Sequence, residues 1–134
     1  MVRIAFVCIE NAGRSQMAAA FARRQKARSV VILSGGARPA AQVHPVVVAV
    51  MREVGIDLQD EKPRAISPHE IMASDVVVTM GCVADDVCPA KFRGDAVDWA
   101  LPDPAGKPIE EVRAIRDDVE RRVTALLEEV VHGR

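Results

Sequence analysis

Residues 2–20 read Val2-Arg3-Ile4-Ala5-Phe6-Val7-Cys8-Ile9-Glu10-Asn11-Ala12-Gly13-Arg14-Ser15-Gln16-Met17-Ala18-Ala19-Ala20. Val2–Val7 is short, apolar and partly β-branched, and a glycine-containing turn follows it, which is the pattern of a buried strand. Arg14–Lys26 is rich in Ala, Met, Gln and Arg, all good helix formers. A buried strand that passes through a tight turn into a helix is the opening of an α/β unit.

The rest of the chain repeats that alternation. Val30–Leu33 reads as a second strand, ended by Gly35-Gly36. Pro45–Val54 reads as a helix, with Pro45 in its first turn and Gly55 past its end. Pro68–Met72 is a short helix capped by Ser67. Val76–Thr79 is a third buried strand, and after a long loop Ala96–Trp99 forms a short fourth. Pro108 starts the last helix. There Ile109, Val112, Ile115, Val119, Val123, Leu126, Leu127 and Val130 make one apolar face. Asp117–Arg121 and Asp118–Arg122 are expected to support it as i,i+4 pairs. No repeat, low-complexity tract or linker divides the chain. The expected architecture is therefore a single α/β domain over residues 1–134, a four-stranded parallel sheet flanked by helices; with strand order 2-1-3-4, the first and third strands are neighbours. In such sheets ligands sit at the carboxyl ends of the strands, where strand order reverses. Cys8 directly follows the first strand and Cys82 follows the third.

Composition narrows the function. Hydrophobic residues make up 49% and charged residues 28% of the 134 residues, enough for one core in one domain. The formal net charge of −1 gives no global field to attract nucleic acid or an anionic membrane. The densest basic run, Arg23, Arg24, Lys26 and Arg28, reads as a solvated helix face. No apolar stretch approaches the ~20 residues that span a bilayer. The first residues lack the pattern of a signal peptide, so the cytoplasm is the expected location. Three cysteines, Cys8, Cys82 and Cys88, do not suggest a structural disulfide framework. Zinc fits them poorly, because five residues separate Cys82 from Cys88 and no fourth ligand is evident.

Chemistry concentrates in Cys8-Ile9-Glu10-Asn11-Ala12-Gly13-Arg14-Ser15. Five residues between Cys8 and Arg14 can wrap into a near-circle with the N–H groups of Ile9, Glu10, Asn11, Ala12, Gly13, Arg14 and Ser15 turned inward. The helix that follows adds its positive end, and the result is a nest for a tetrahedral anion. Arg14 can grip two oxygens with its planar fork. Cys8 lies at the bottom, where these donors and the Ser15 hydroxyl favour its thiolate and so its nucleophilicity. Leu101-Pro102-Asp103-Pro104-Ala105-Gly106 is a turn by composition. In function it would hold Asp103 over the cup as a proton donor.

A cysteine, five residues, Arg-Ser and a late Asp-Pro loop resemble the low-molecular-weight protein tyrosine phosphatase superfamily. Val78-Thr79-Met80-Gly81-Cys82 and Val83-Ala84-Asp85-Asp86-Val87-Cys88-Pro89 resemble the redox segment of its thioredoxin-coupled arsenate reductase branch. So do Arg14-Ser15-Gln16-Met17-Ala18 and Asp98-Trp99 with Asp103-Pro104-Ala105-Gly106-Lys107. The sequence contains no tyrosine and only four aromatic residues, so an aryl phosphate would have little to stack against.

The resemblance implies reduction of arsenate to arsenite through a three-cysteine relay, with Cys8, Arg14, Cys82, Cys88 and Asp103 as the catalytic residues. It implies a thioredoxin, a glutaredoxin-like protein or a small thiol as reductant, no cofactor, and a monomer. It also implies that the segment around Cys82 and Cys88 rearranges between redox states. A phosphatase acting on phosphate monoesters through Cys8, Arg14 and Asp103 is the alternative. A thiol redox sensor working through Cys82 and Cys88 ranks last, since it leaves the Cys8–Arg14 cup unexplained.

Certain positions depart from the family. Glu10 stands where glycine is common and is expected to point to solvent. Gly13 replaces a cysteine or another small residue, an exchange expected to be harmless. Some relatives hold potassium near the cup. Asn11 and Ser34 match that pattern, but Ala19 and Arg64 replace its acidic ligands, so no metal is expected and Asn11 is read as a brace for the loop. His44, His69 and His132 show no catalytic partner and are read as bland, His44 as a helix start.

Overall fold

The computed structural model describes residues 2–25, 29–80 and 94–133. The strands are β1 (Val2–Cys8), β2 (Val30–Gly36), β3 (Val76–Met80) and β4 (Asp95–Asp98). The helices are α1 (Arg14–Gln25), α2 (Pro45–Arg52), α3 (Pro68–Met72) and α4 (Ile109–Gly133). All strand pairs are parallel, as the alternation of elements predicts, and the order is the expected β2-β1-β3-β4. Cys8 pairs with Gly36 on one side and Met80 on the other. The chain leaves β1 for β2 in one direction and β3 lies in the other, so the reversal of strand order falls at Cys8.

Both faces of the sheet are covered, which is why the strands read as unbroken apolar runs. Ile4, Phe6, Cys8, Val76, Val78 and Met80 face a large core shared with α1, α2 and α4. Ala5, Val7 and Val77 face the other way, onto Ile71 of α3, with Leu33 and Ile66 alongside. The predicted stripe on α4 is the buried one. Val112, Ile115, Val119, Val123, Leu127 and Val130 are buried, and Ile109 and Leu126 pack against them. α1 is sandwiched between sheet and α4, so every residue from Arg14 to Ala22 is buried. At its far end Arg24 stacks over the Phe21 ring and pairs with Glu120.

Local signals set the boundaries with some corrections. Ser67 caps α3 in a full capping box with Glu70. α2 stops at Arg52, two residues before the predicted end, and Gly55 then turns the chain at φ +83°. β4 begins and ends one residue earlier than expected, because Trp99 turns into the core, with its ring 5.9 Å from that of Phe6. On α4 only Asp118–Arg122 forms as an i,i+4 pair. Asp117 is claimed by its neighbour Arg116, whose guanidinium also reaches Glu53 of the segment after α2, and Arg121 lies nearer Asp118. Arg113 and Arg116 hold the Glu53 carboxyl below its usual range.

The largest correction is to β2, which continues through Ser34, Gly35 and Gly36. The two glycines admit neighbours to the strand. A Cβ on Gly35 would lie 2.6 Å from Ile66 Cβ, and one on Gly36 would lie 2.7 Å from the carbonyl oxygen of Ile9. Gly35→Ala is expected to lower stability by about 1–3 kcal/mol through overpacking. Thermal melting checks this, and an unchanged midpoint would mean that residues 65–66 yield freely.

Candidate active site

The cup begins where β1 ends. The carbonyls of Ile9, Glu10 and Ala12 accept bonds from the N–H groups of Arg38, Ala40 and His44, at 2.8–2.9 Å. A trans peptide points its N–H opposite to its C=O. Tying these carbonyls to the 38–44 segment therefore turns the N–H groups of Glu10, Asn11 and Gly13 away from their partners in that segment. Met17 N–H donates to the Gly13 carbonyl as the first bond into α1.

Asn11 is the brace. It is fully buried with φ +52°, a conformation that asparagine tolerates better than most residues. Its Nδ2 donates to Ser15 Oγ at 2.7 Å, and its Oδ1 accepts from the Arg64 N–H at 3.0 Å and from Gln16 Nε2 at 3.1 Å. Ser15 Oγ lies 2.8 Å from Cys8 Sγ. Because Asn11 already donates to that oxygen, the Ser15 hydroxyl hydrogen is free to point at the sulfur. The sulfur of Cys8, a buried free cysteine, thus faces a donor held by a chain of bonded groups.

Arg14 is 7% exposed, and its Nη1 donates to the Leu101 carbonyl at 2.9 Å. That bond fixes the guanidinium and fastens the segment that carries Asp103. Asp103 Oδ1 accepts from the Ala105 N–H in a local turn, while Oδ2 stands 3.9 Å from Arg14 Nη2 with the side chain half exposed.

Cys8, Ile9, Glu10, Ala12, Gly13, Arg14, His44 and Asp103 line a well of about 40 Å³. At roughly 10–15 Å³ per water, that holds about three waters, the scale of one small oxyanion. Among the described residues no Phe or Trp lines it, since Phe6, Phe21 and Trp99 are all buried in the core. Glu10 is exposed at the rim, as its charge requires. The structure thus gathers Cys8 and Arg14 of the cup loop with Asp103 of the loop after β4. Cys82 and Cys88, and the segment expected to rearrange, lie outside the described residues.

Sequence reasoning missed three features. His44 was read as a helix start, and it is one, but its side chain also lines the well. The signal was faint, since only the fold brings residue 44 over residues 12 and 13. Gly13 is a close-approach site. A Cβ there would lie 2.8 Å from Pro104 Cγ, so the missing side chain lets the Asp-Pro loop settle on the cup. Gly13→Ala is expected to displace Asp103 and lower kcat about tenfold, with phosphate affinity little changed. Kinetics paired with phosphate titration check it, and an unchanged kcat would mean that Pro104 gives way.

The third feature is Arg64. Its Nη1 donates to the Ser34 carbonyl at 2.7 Å, and its Nη2 pairs with Glu70. The Ser67 amide first, and then Arg64, hold the Glu70 carboxyl below its usual range. Among the described residues no group of three or more His, Cys, Asp or Glu side chains gathers to hold a metal. Ala19 is buried among apolar neighbours.

Comparison with known proteins agrees with this geometry. The sequence profile of the family "Low molecular weight phosphotyrosine protein phosphatase" matches residues 3–133. A Halobacterium salinarum protein named "Putative arsenate reductase" is 48% identical over 132 residues, covering 95% of this chain and 92% of that protein. The "Glutaredoxin arsenate reductase" of Synechocystis sp. is 34% identical over 133 residues, covering 97% and 99%. Among solved structures, the thioredoxin-dependent arsenate reductase of Corynebacterium glutamicum superposes with a TM-score of 0.84 at 31% identity. That match covers all of this chain and 64% of the other.

Proposed function

The chain belongs to the low molecular weight phosphotyrosine protein phosphatase family, and on that premise we propose that it reduces arsenate to arsenite. The observation that carries this reading is the small well, floored by Cys8 and gripped by Arg14, with no aromatic wall among its described residues. It suits a tetrahedral inorganic oxyanion better than an aryl ester. Relatives named as arsenate reductases at 34–48% identity support the choice of oxyanion.

The chemistry runs as follows. Arg14 and the inward N–H groups hold arsenate over the sulfur. Cys8 thiolate attacks arsenic, an As–O bond breaks, and Asp103 gives the departing oxygen its proton so that it leaves as water. Cys82 thiolate then attacks Cys8 sulfur. The S–As bond breaks with its electron pair going to arsenic, which leaves as arsenite, and a Cys8–Cys82 disulfide remains. Cys88 thiolate attacks Cys82, forms Cys82–Cys88 and frees Cys8. An external dithiol of the thioredoxin or glutaredoxin class reduces that disulfide and closes the cycle. The protein would act as a cytoplasmic monomer, without a cofactor.

The test is arsenate-dependent NADPH oxidation with thioredoxin and thioredoxin reductase, beside hydrolysis of p-nitrophenyl phosphate. Sustained arsenate turnover with slow ester hydrolysis is expected. Brisk ester hydrolysis with no arsenate turnover, whichever dithiol is supplied, would instead make the chain a phosphatase like the family's namesakes.

A further inference from the structure

Arg14 of the well, and Asn11, Ser15 and Gln16 of the cup loop and the helix start behind it, each make a side-chain hydrogen bond. His44 does not. Its backbone is pinned at both ends, the N–H donating to the Ala12 carbonyl and the carbonyl accepting from Val47 and Val48 of α2. It occupies the N-cap position of α2 yet makes no side-chain capping bond, whereas Ser67 does so for α3. The half-buried imidazole instead lies beside Gly13, with Cδ2 3.5 Å from where a Cβ would stand, and it forms part of the wall of the well. No hydrogen-bond partner for the ring exists among the described residues. A ring held in place by its backbone, turned from the helix it could cap and facing an anion cup, is a donor without an acceptor.

We propose that His44 is a further oxyanion-binding residue of this site, donating from its imidazole to an outer oxygen of the bound anion. The groups that share the well with it are Cys8, Glu10 and Arg14 of the cup loop and Asp103 of the loop after β4. Arg14 is the only fixed positive charge among them. A protonated imidazole would add a second positive charge against a dianion, and a neutral one only a hydrogen bond. The contribution of His44 should therefore be larger in mild acid than in mild base. The inference rests on the cup being an oxyanion site, whichever oxyanion it acts on.

Calorimetric titration with inorganic phosphate between pH 5.5 and 8.5 tests this without any turnover. His44→Ala is expected to raise the phosphate Kd about tenfold at pH 6 and about twofold at pH 8. His44→Asn should recover the pH 8 affinity and not the excess at pH 6. At pH 8.5 the alkylation rate of Cys8 by iodoacetamide should stay at the wild-type value in both variants. A variant-to-wild-type Kd ratio that is flat with pH, or equal to one throughout, would overturn the proposal. So would a changed alkylation rate at pH 8.5, which would make His44 a prop of the cup. Wild-type protein that fails to bind phosphate at all would refute the cup itself, an outcome distinct from failure of His44 alone.

Discussion

Arg14→Lys is expected to lower kcat/KM for arsenate by about 10²–10³-fold, with kcat and oxyanion affinity both reduced. The guanidinium does two jobs at once. One nitrogen is spent on the Leu101 carbonyl, and the remaining edge faces the well. Lysine offers a single point of charge with no fixed fork, so it can satisfy the carbonyl or the anion but not both in one geometry. Bonding the carbonyl would leave the anion without its bidentate partner. Bonding the anion would release Leu101, two residues before Asp103, and loosen the proton donor. Steady-state kinetics and phosphate titration on the same variant separate the two losses. A fall in kcat/KM of less than about tenfold, below the range for a lost charge-stabilising donor, would show that the backbone N–H groups hold the anion largely unaided.

How much of this was legible in the sequence depends on the range of the interaction. Strand-turn-helix order, the apolar stripe of α4 and the Ser67 cap are encoded within a few residues, and they appear where the pattern puts them. Parallel pairing followed from the alternation of strands and helices, which does not by itself fix the 2-1-3-4 order. The cup motif is also local, and Asn11 could be read as a brace because a short polar side chain in a tight loop has few other uses. Gly13 against Pro104, Arg64 against Ser34 and Glu70, and His44 beside the cup are different in kind. Each joins stretches that only the closed sheet brings together. Gly35 and Gly36 show the same limit. A glycine pair reads as a strand end, because nothing nearby in sequence reveals that Ile66 and the cup loop will press against that strand. The Asp117–Arg121 pair of α4 failed for a related reason. Propensity favours i,i+4 partners, but Arg116 draws Asp117 while reaching across to Glu53 on another segment.

Cys88→Ser is expected to stop after one arsenite per protein, and Cys82→Ser to release none unless an external thiol attacks the Cys8 adduct. Both should keep their p-nitrophenyl phosphate hydrolysis, which needs only Cys8, Arg14 and Asp103. Chain geometry supports the first exchange. Met80 is the register partner of Cys8 across β1 and β3, and neighbouring strands lie about 4.8 Å apart. Cys82 is two residues beyond Met80, and two residues span at most about 7 Å. A disulfide requires the two Cα atoms to approach to about 4.4–6.8 Å, a separation this tether permits. A thiol tethered this close to Cys8 across the β1–β3 pairing reaches its sulfur ahead of water or a free thiol. Cys88 is six residues further on, close enough to Cys82 for the second exchange without any third element. In the Cys88→Ser protein, the oxidised sulfur should therefore remain trapped as Cys8–Cys82, and peptide mapping under non-reducing conditions would find that pair. In wild type allowed one turnover without reductant, mapping should find Cys82–Cys88 and a free Cys8. Sustained turnover by Cys88→Ser with thioredoxin alone would mean that the external dithiol reads Cys8–Cys82 directly, leaving the third cysteine without a part in the cycle.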